Sequence, residues 1–447
     1  MSETSPAELR RVITASSAGT LIEWYDFYLF GVMSTVIAQH FFPQGNEMAG
    51  YLNTLATFAA GFIVRPFGAL VFGRVGDLVG RKHAFMVTLL IMGVATVAVG
   101  LIPDYTQIGV LAPILLVFLR LLQGLAMGGE YGGAATYVAE HSPVGRRGFF
   151  TSFIQTTATL GLLMALAVIL GVQGALGKEA FEEWGWRIPF LLSAILVVFA
   201  VLIRSKLSES PLFLRMKSGG KAAVNPLSES FMNPANRRLV LIALFGATAG
   251  QGVIWYTGQF YAHSFMIKTL KLDLFTASWI LGIALLLATP LFILFGHLSD
   301  RIGRKPLMMG GLVCGLLCYW PIYRAMMAAG GYDPANPGTQ LFAADPKALV
   351  FLIFIQVVFV AMIYGPIAAF LVELFPVQIR YTSMSLPYHL GNGVFGGLTP
   401  FVGTYLVAKT GNPYAGVLYP MAIALLTLVV GGLLIKESPP EEALAEA

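Results

Sequence analysis

Twelve long apolar stretches in one chain leave few folds open. They run at about 12–41, 49–73, 84–103, 109–138, 149–173 and 187–205, then at 238–267, 274–296, 306–328, 347–372, 382–408 and 414–435. Most reach or approach the ~20 residues that an α-helix needs to cross a bilayer. Of 447 residues, 57% are hydrophobic and 11% charged, whereas a soluble domain carries roughly a quarter charged. A water-soluble fold has nowhere to hide so much apolar surface, so the chain is read as an all-α polytopic membrane protein with twelve transmembrane helices. The first stretch is longer than a signal-peptide core, carries charges and lacks a small-residue cleavage site, so it is expected to remain as helix 1.

The pattern duplicates. GRVGDLVGRK from Gly73 to Lys82 returns as GHLSDRIGRK from Gly296 to Lys305, half a chain later. Glu140, Pro143 and Arg147 stand three and seven apart, and Glu373, Pro376 and Arg380 repeat that spacing. Two six-helix halves follow, 1–206 and 238–436, joined by a polar linker at 207–237 and ended by a short tail at 437–447. Residues Ser208–Lys217 of the linker read either as an amphipathic helix on the membrane surface or as solvated chain. Basic pairs such as Arg10/Arg11, Arg81/Lys82, Arg146/Arg147, Arg237/Arg238 and Arg304/Lys305 all fall on one side. The positive-inside rule therefore places both termini in the cytoplasm.

Certain segments resemble the major facilitator superfamily and, within it, the metabolite:proton symporter family. They are EWYDF at Glu23–Phe27, the run from Arg65 to Lys82, RLLQGLAMGGEYGG at Arg120–Gly133, WGWRIPF at Trp184–Phe190, the run Gly250–Ala262, and the long segment Glu373–Gly397. The resemblance covers nearly the whole chain. It implies the major facilitator fold, alternating access, a bacterial inner membrane, and a cargo of the kind such carriers take, among them 2-oxoglutarate, citrate, shikimate, proline and betaine. The similar osmosensing betaine carriers end in a coiled-coil tail; with ESPPEEALAEA at this position, tail-based osmosensing is not expected.

Ionisable residues deep in a span cost ~2.5–3.5 kcal/mol each even on insertion scales. Four lie near mid-membrane depth: Glu23 and Asp26, about 17 and 21 Å into helix 1 at 1.5 Å per residue, with Arg65 on helix 2 and Arg120 on helix 4. One reading pairs them as a neutral network that holds the N-terminal half together. The other gives a carboxylate the coupled proton and an arginine the substrate, because burial favours a protonated carboxyl and a neighbouring cation favours its ionised form. The resemblance favours a helix 1 acid as proton carrier, Asp26 first and Glu23 second.

Arg120, Gln123, Met127 and Tyr131 recur at helical spacing as a candidate cavity wall, and the glycines of this helix permit close helix approach. On helix 7, Gln251, Trp255, Tyr256 and Gln259 form a second candidate wall, with interhelical hydrogen bonding as the alternative. Tyr364 and Asn392 complete the substrate-binding set; His389, beside Asn392 on helix 11, could join that wall, with a satisfied packing residue as the expected reading. The duplicated loops place Asp77, Arg81, Glu140, Arg147, Asp300, Arg304, Glu373 and Arg380 at one rim, as a gate network or as solvated topology signals. Glu130 is expected to serve gating or structure.

Cys314 and Cys318 are four apart on one helix face and are read as packing residues. Zinc, Walker and nucleophile-elbow spacings are missing from the sequence, so no cofactor, metal or enzymatic activity is expected. Basic residues are scattered one loop at a time, which does not support nucleic-acid binding, and no obligate protein partner is implied. The expected function is proton-coupled symport of a small carboxylate. A zwitterion held over Trp255 and Tyr256, a passive facilitator and a transporter-like sensor are the alternatives.

Overall fold

The computed structural model describes residues 6–43, 46–78, 81–129, 131–143, 145–205, 226–333, 341–375 and 380–436. Helices stand at every expected span. In the first half they are α1 (Pro6–Val32, continued by Ser34–Phe41), α2 (Glu47–Ile63, continued by Arg65–Leu78), α3 (Arg81–Leu101), α4 (Leu111–Gly128, continued by Tyr131–His141), α5 (Arg147–Leu176) and α6 (Arg187–Ser205). The second half contains α7 (Pro234–Lys268), α8 (Leu274–Ile302), α9 (Arg304–Ala329), α10 (Pro346–Leu374), α11 (Arg380–His389, Leu390–Gly396, Thr399–Thr410) and α12 (Leu418–Leu434). Among the described residues, eight helices are long and apolar enough to cross a membrane, nine with the bent pair of α1. The apolar segments Met86–Leu101 and Arg187–Phe199 are shorter, and α11 is divided.

The polarity is that of a membrane protein. Val94 and Ile195 are 67% exposed and Leu433 is 78% exposed, while Asp26, Arg65, Arg120 and Gln259 are at most 1% exposed. Water would drive the opposite partition; lipid permits this one. The duplication reappears as packing. α1 packs on α5, α2 on α4 and α3 on α6; correspondingly α7 packs on α11, α8 on α10 and α9 on α12. The halves meet where α5 lies along α8 and where α2 lies along α11.

Two features depart from the expected helices. The 12–41 stretch is not one straight rod: α1 bends by 62° at Met33. Its outer piece is tied down by His40, which bonds Asp104 at 3.2 Å and the Glu182 carbonyl at 2.8 Å. The first span of the second half also begins earlier than expected, at Pro234 behind an Asn233 cap that accepts from Ala235 N–H. The expected linker helix at 208–217 lies outside the described residues.

Arg187 explains part of the WGWRIPF segment. Its guanidinium donates to Asp104 at 2.6 Å and to the carbonyls of Gly100 and Ile102, and it lies over the Trp186 ring. Tyr25 donates to the Pro189 carbonyl at 2.8 Å. The segment is a knot joining α1, α3 and α6. Cys314 and Cys318 are free and partly buried, as packing residues would be.

α2 and α4 approach backbone to backbone. A Cβ added at Gly124 would meet the Gly61 carbonyl, and one at Gly128 would meet the Arg65 carbonyl, neither of which can swing aside. This close approach sets Arg120 and Arg65 side by side. Gly124→Val should therefore displace the helices at a cost of ~1–3 kcal/mol or more. Gly171→Val, where an added Cβ meets nothing within 4 Å, serves as control. Thermal unfolding in detergent should show a lowered midpoint for the first and an unchanged one for the second; equal midpoints would contradict this packing role.

Candidate functional site

The four midplane charges do not form the paired network that equal depth suggests. Asp26 turns toward α6, where its Oδ1 accepts from the Ser193 hydroxyl at 2.6 Å, and its Oδ2 is buried without a partner. Neither Arg65 nor Arg120 makes an ion pair with Asp26 or Glu23 among the described residues. Asp26, Arg65 and Arg120 are all buried, but the direction in which each side chain leaves its helix separates them.

The arginines face aromatic rings instead. Arg120 Cζ lies 3.6 Å from the Phe27 ring centroid and 4.8 Å from those of Phe30 and Phe58. Arg65 Cζ lies 4.3 Å from the same Phe27 ring and 4.0 Å from Phe62. Two guanidiniums thus share one phenyl ring. Desolvated cation–π contacts are worth ~2 kcal/mol or more, which offsets part of the cost of burying two charges. Their polar partners are sparse. Arg120 Nη1 donates to the Phe27 carbonyl and to Gln123 Oε1, and Arg65 Nη2 donates to Met127 Sδ. Nε and Nη2 of Arg120 and Nε of Arg65 are buried without an acceptor. Gln123 passes the arrangement on to α3 by donating to Thr96 at 2.9 Å.

An aromatic cluster drawn from both halves closes around these cations. Tyr28 of α1 stacks on Trp255 of α7 at 5.4 Å, and Phe62 of α2 meets Tyr256 edge-on at 5.2 Å. Phe260 of α7 packs on Phe58 and Tyr28. Trp255 Nε1 and both amide atoms of Gln259 are buried without partners.

The second wall is only partly what helical spacing suggests. Gln251 and Asn392 exchange reciprocal amide hydrogen bonds at 3.2 and 2.8 Å. They join α7 to α11, the interhelical hydrogen bonding that is the alternative to a wall for Gln251. Tyr131 stacks flat on Tyr388 of α11 at 3.5 Å and donates to Gln155. Tyr364 and Tyr388 share a hydrogen bond at 2.9 Å, and Gln155 donates to the Tyr364 carbonyl. This phenol cluster closes one side of the interior between the halves. His389 overturns its expected role, for both of its ring nitrogens are buried without partners.

At the end of the bundle bearing the duplicated loops, three of the eight rim residues come together. Arg304 pairs with Asp300 at 2.7 Å and with Glu373 at 3.1 Å, and donates to Ser299 at 2.6 Å. Asp300 also accepts from the backbone N–H groups of Gly148 and Phe149, both at 2.8 Å. These open α5, where unsatisfied amides favour an anion, so Asp300 ties the second half to the first. Sequence spacing could not reveal backbone partners. Among the described residues Arg147 makes no ion pair. The side chains of Asp77, Arg81, Glu140 and Arg380, and Glu130, lie outside the described residues. At the opposite end Tyr51 bonds Ser264 at 2.7 Å and carries Lys268 over its ring, so polar contacts join the halves at both ends.

The sugar (and other) transporter family model matches residues 11–231 and 220–437. The chain is 34% identical over 405 residues to the alpha-ketoglutarate permease of Escherichia coli (strain K12), spanning 90% of this chain and 89% of that protein. It is 32% identical over 441 residues to the citrate-proton symporter of Salmonella typhi, spanning 97% and 96%. A solved structure of the proton:xylose symporter XylE aligns over 98% of this chain and 99% of its own with a TM-score of 0.73 at 18% identity, a likeness of fold. The duplicated helical packing, the buried charges facing an aromatic interior and these matches agree: the chain belongs to the sugar (and other) transporter family of the major facilitator superfamily and is a multi-pass membrane transporter, not an enzyme.

Proposed function

We propose that the protein is a proton-coupled symporter that carries a small organic anion across a bacterial inner membrane by alternating access, with both termini in the cytoplasm. The observation that carries this reading is the pair of guanidiniums on one phenyl ring, buried, with donors left over and no carboxylate paired to them among the described residues. An incoming carboxylate fits those forks bidentately. Relatives named alpha-ketoglutarate permease and citrate-proton symporter support the same class. A quaternary ammonium over Trp255 is less well supported, since Tyr28 already stacks on that ring.

In this reading Arg120 and Arg65 bind the anion, while Gln259 and Trp255 contribute contacts from the second half. Asp26 takes up and releases the proton. A cargo that carries net positive charge inward with its protons gains ~2.3 kcal/mol per charge per 100 mV of membrane potential. The Arg304, Asp300 and Glu373 group, with the start of α5, closes the cytoplasmic end; the duplicated rim residues Asp77, Arg81, Glu140, Arg147 and Arg380 are assigned to the same gate by position. An exposed pair is worth only ~0–1 kcal/mol, but a partly buried tie between moving halves biases which state is populated.

Uptake of labelled 2-oxoglutarate and citrate into proteoliposomes, with and without an imposed proton gradient, tests the reading directly. Accumulation above equilibrium that collapses with the gradient is expected; equilibration without accumulation would indicate a facilitator, and binding without flux a sensor. Arg120→Lys keeps the charge but loses the planar fork, so uptake should fall at least tenfold while folding survives. Wild-type uptake by that variant would remove Arg120 from the site.

Asp26→Asn keeps an acceptor for Ser193 and leaves no arginine stranded, so it should fold with an unfolding midpoint close to wild type. Accumulation should be lost while counterflow exchange persists, because exchange needs no proton release. Normal accumulation by this variant would move coupling away from Asp26. Asp300→Asn removes the charge held by the α5 amides. In a background lacking Cys314 and Cys318, a cysteine placed at Ser152, beside Gly296 on the same interface, should then react faster with an impermeant maleimide applied from the cytoplasmic side. An unchanged rate would argue against the tie as a gate.

A further inference from the structure

The strongest leftover chemistry in the interior is His389. It ends the first segment of α11, is 1% exposed, and both ring nitrogens lack hydrogen-bond partners. A buried polar group left unsatisfied costs ~1–3 kcal/mol, and α11 at this point packs against α2 and α4 of the other half. The ring is also the single histidine of the helix that joins the two halves on this side.

Its surroundings define what it can do. The charged group that acts on it electrostatically is Arg65 at the start of the α2 segment packed against this part of α11, and the Gly128 backbone on α4 lies near the ring outside hydrogen-bond geometry. Its titratable ring neighbour is Tyr388 on its own helix, 5.5 Å away ring to ring, a phenol already engaged with Tyr364 on α10 and Tyr131 on α4. Asp26 is held by Ser193 on α6. No carboxylate among the described residues pairs with the ring.

We infer that an anionic group of the cargo bridges Arg65 of the first half and His389 of the second, and that His389 takes up a proton when the anion arrives. The inference rests on the organic-anion reading above and deepens it. A neutral imidazole has one N–H donor. The arriving carboxylate accepts only, and so does the Gly128 carbonyl, which a small shift of the ring on binding brings within hydrogen-bond reach. Satisfying both requires both ring nitrogens to donate, which is the imidazolium. The proton comes from water at the side then open, and returns to water when the anion leaves and the ring faces Arg65 alone. Anion and proton thus bind together, one proton per anion at this site, separate from any proton on Asp26. Because the bridge spans α2 and α11, it draws together the halves on which alternating access depends.

Isothermal titration of the full-length protein in nanodiscs with 2-oxoglutarate tests this at pH 8, where the ligand is fully ionised. Running it in two buffers of different ionisation enthalpy counts the protons taken up on binding. Wild-type protein should take up about one proton more per bound acid than His389→Gln, and His389→Gln should bind at least fivefold more weakly. Equal proton uptake by the two proteins at measurable affinity would overturn the inference while leaving the anion reading standing. Wild-type protein that binds neither 2-oxoglutarate nor citrate would instead sink the anion reading, and this inference with it. Should His389→Gln not fold, ring-nitrogen NMR of 15N-histidine-labelled wild-type protein decides: a histidine that becomes doubly protonated on ligand addition supports the assignment, and histidine signals unchanged by bound ligand overturn it.

Discussion

Two buried guanidiniums on one phenyl ring are the constraint around which this bundle is arranged. An uncompensated cation in a low-dielectric interior is expensive, and here none of the midplane acids is paired with either arginine. The cost is moderated by aromatic faces, by a backbone carbonyl from α1 and by side chains of α4. Each compensating group needs close helix packing. The glycines of α4 that let it reach the α2 backbone are therefore part of the electrostatics, since a wider spacing would separate the guanidiniums from Phe27.

What was legible in the chain was whatever depends on position along a helix. Apolar runs mark spans because the bilayer imposes a length, and the repeated Gly-Arg-Lys loops mark the halves because duplication preserves spacing. Depth also follows from counting residues, and Asp26, Arg65 and Arg120 are indeed all buried within the bundle. The direction in which a side chain points depends on how helices are rotated against one another, which spacing within one helix does not encode. Ser193 as the partner of Asp26, 167 residues away, has no local signal.

Helix 7 shows a second reason. Gln251, Trp255 and Gln259 recur every four residues, which places them on one face only if the helix is regular throughout. Thr257–Tyr261 is a π-helical turn, and such insertions shift the register downstream. Gln251 and Trp255 lie in the regular segment before it, one bonding across to α11 and the other stacking on α1, whereas Gln259 lies within the π turn and buries an unpartnered amide. The π segment Leu390–Gly396 of α11 begins right after His389 and contains Asn392. Three of the residues that matter to the interior thus lie in or beside irregular helix that a wheel projection treats as ideal.

The unpaired arginines also bear on how a carrier of this kind can couple cargo to movement. A ligand shifts a conformational equilibrium only by binding one state better than another. If the midplane charges cancelled as a closed network, closing the interior would cost the same with or without cargo. With two cations left uncompensated, sealing them away from water in the empty protein is costly, and an anion placed between them lowers that cost. On the proposed anion reading, the arrangement with Tyr131 on Tyr388 and Phe62 on Tyr256, which buries both guanidiniums, is the one an anion would stabilise. Structural economy would pair the charges; on the proposed reading, leaving them open is what would let the interior respond to an anion that enters it.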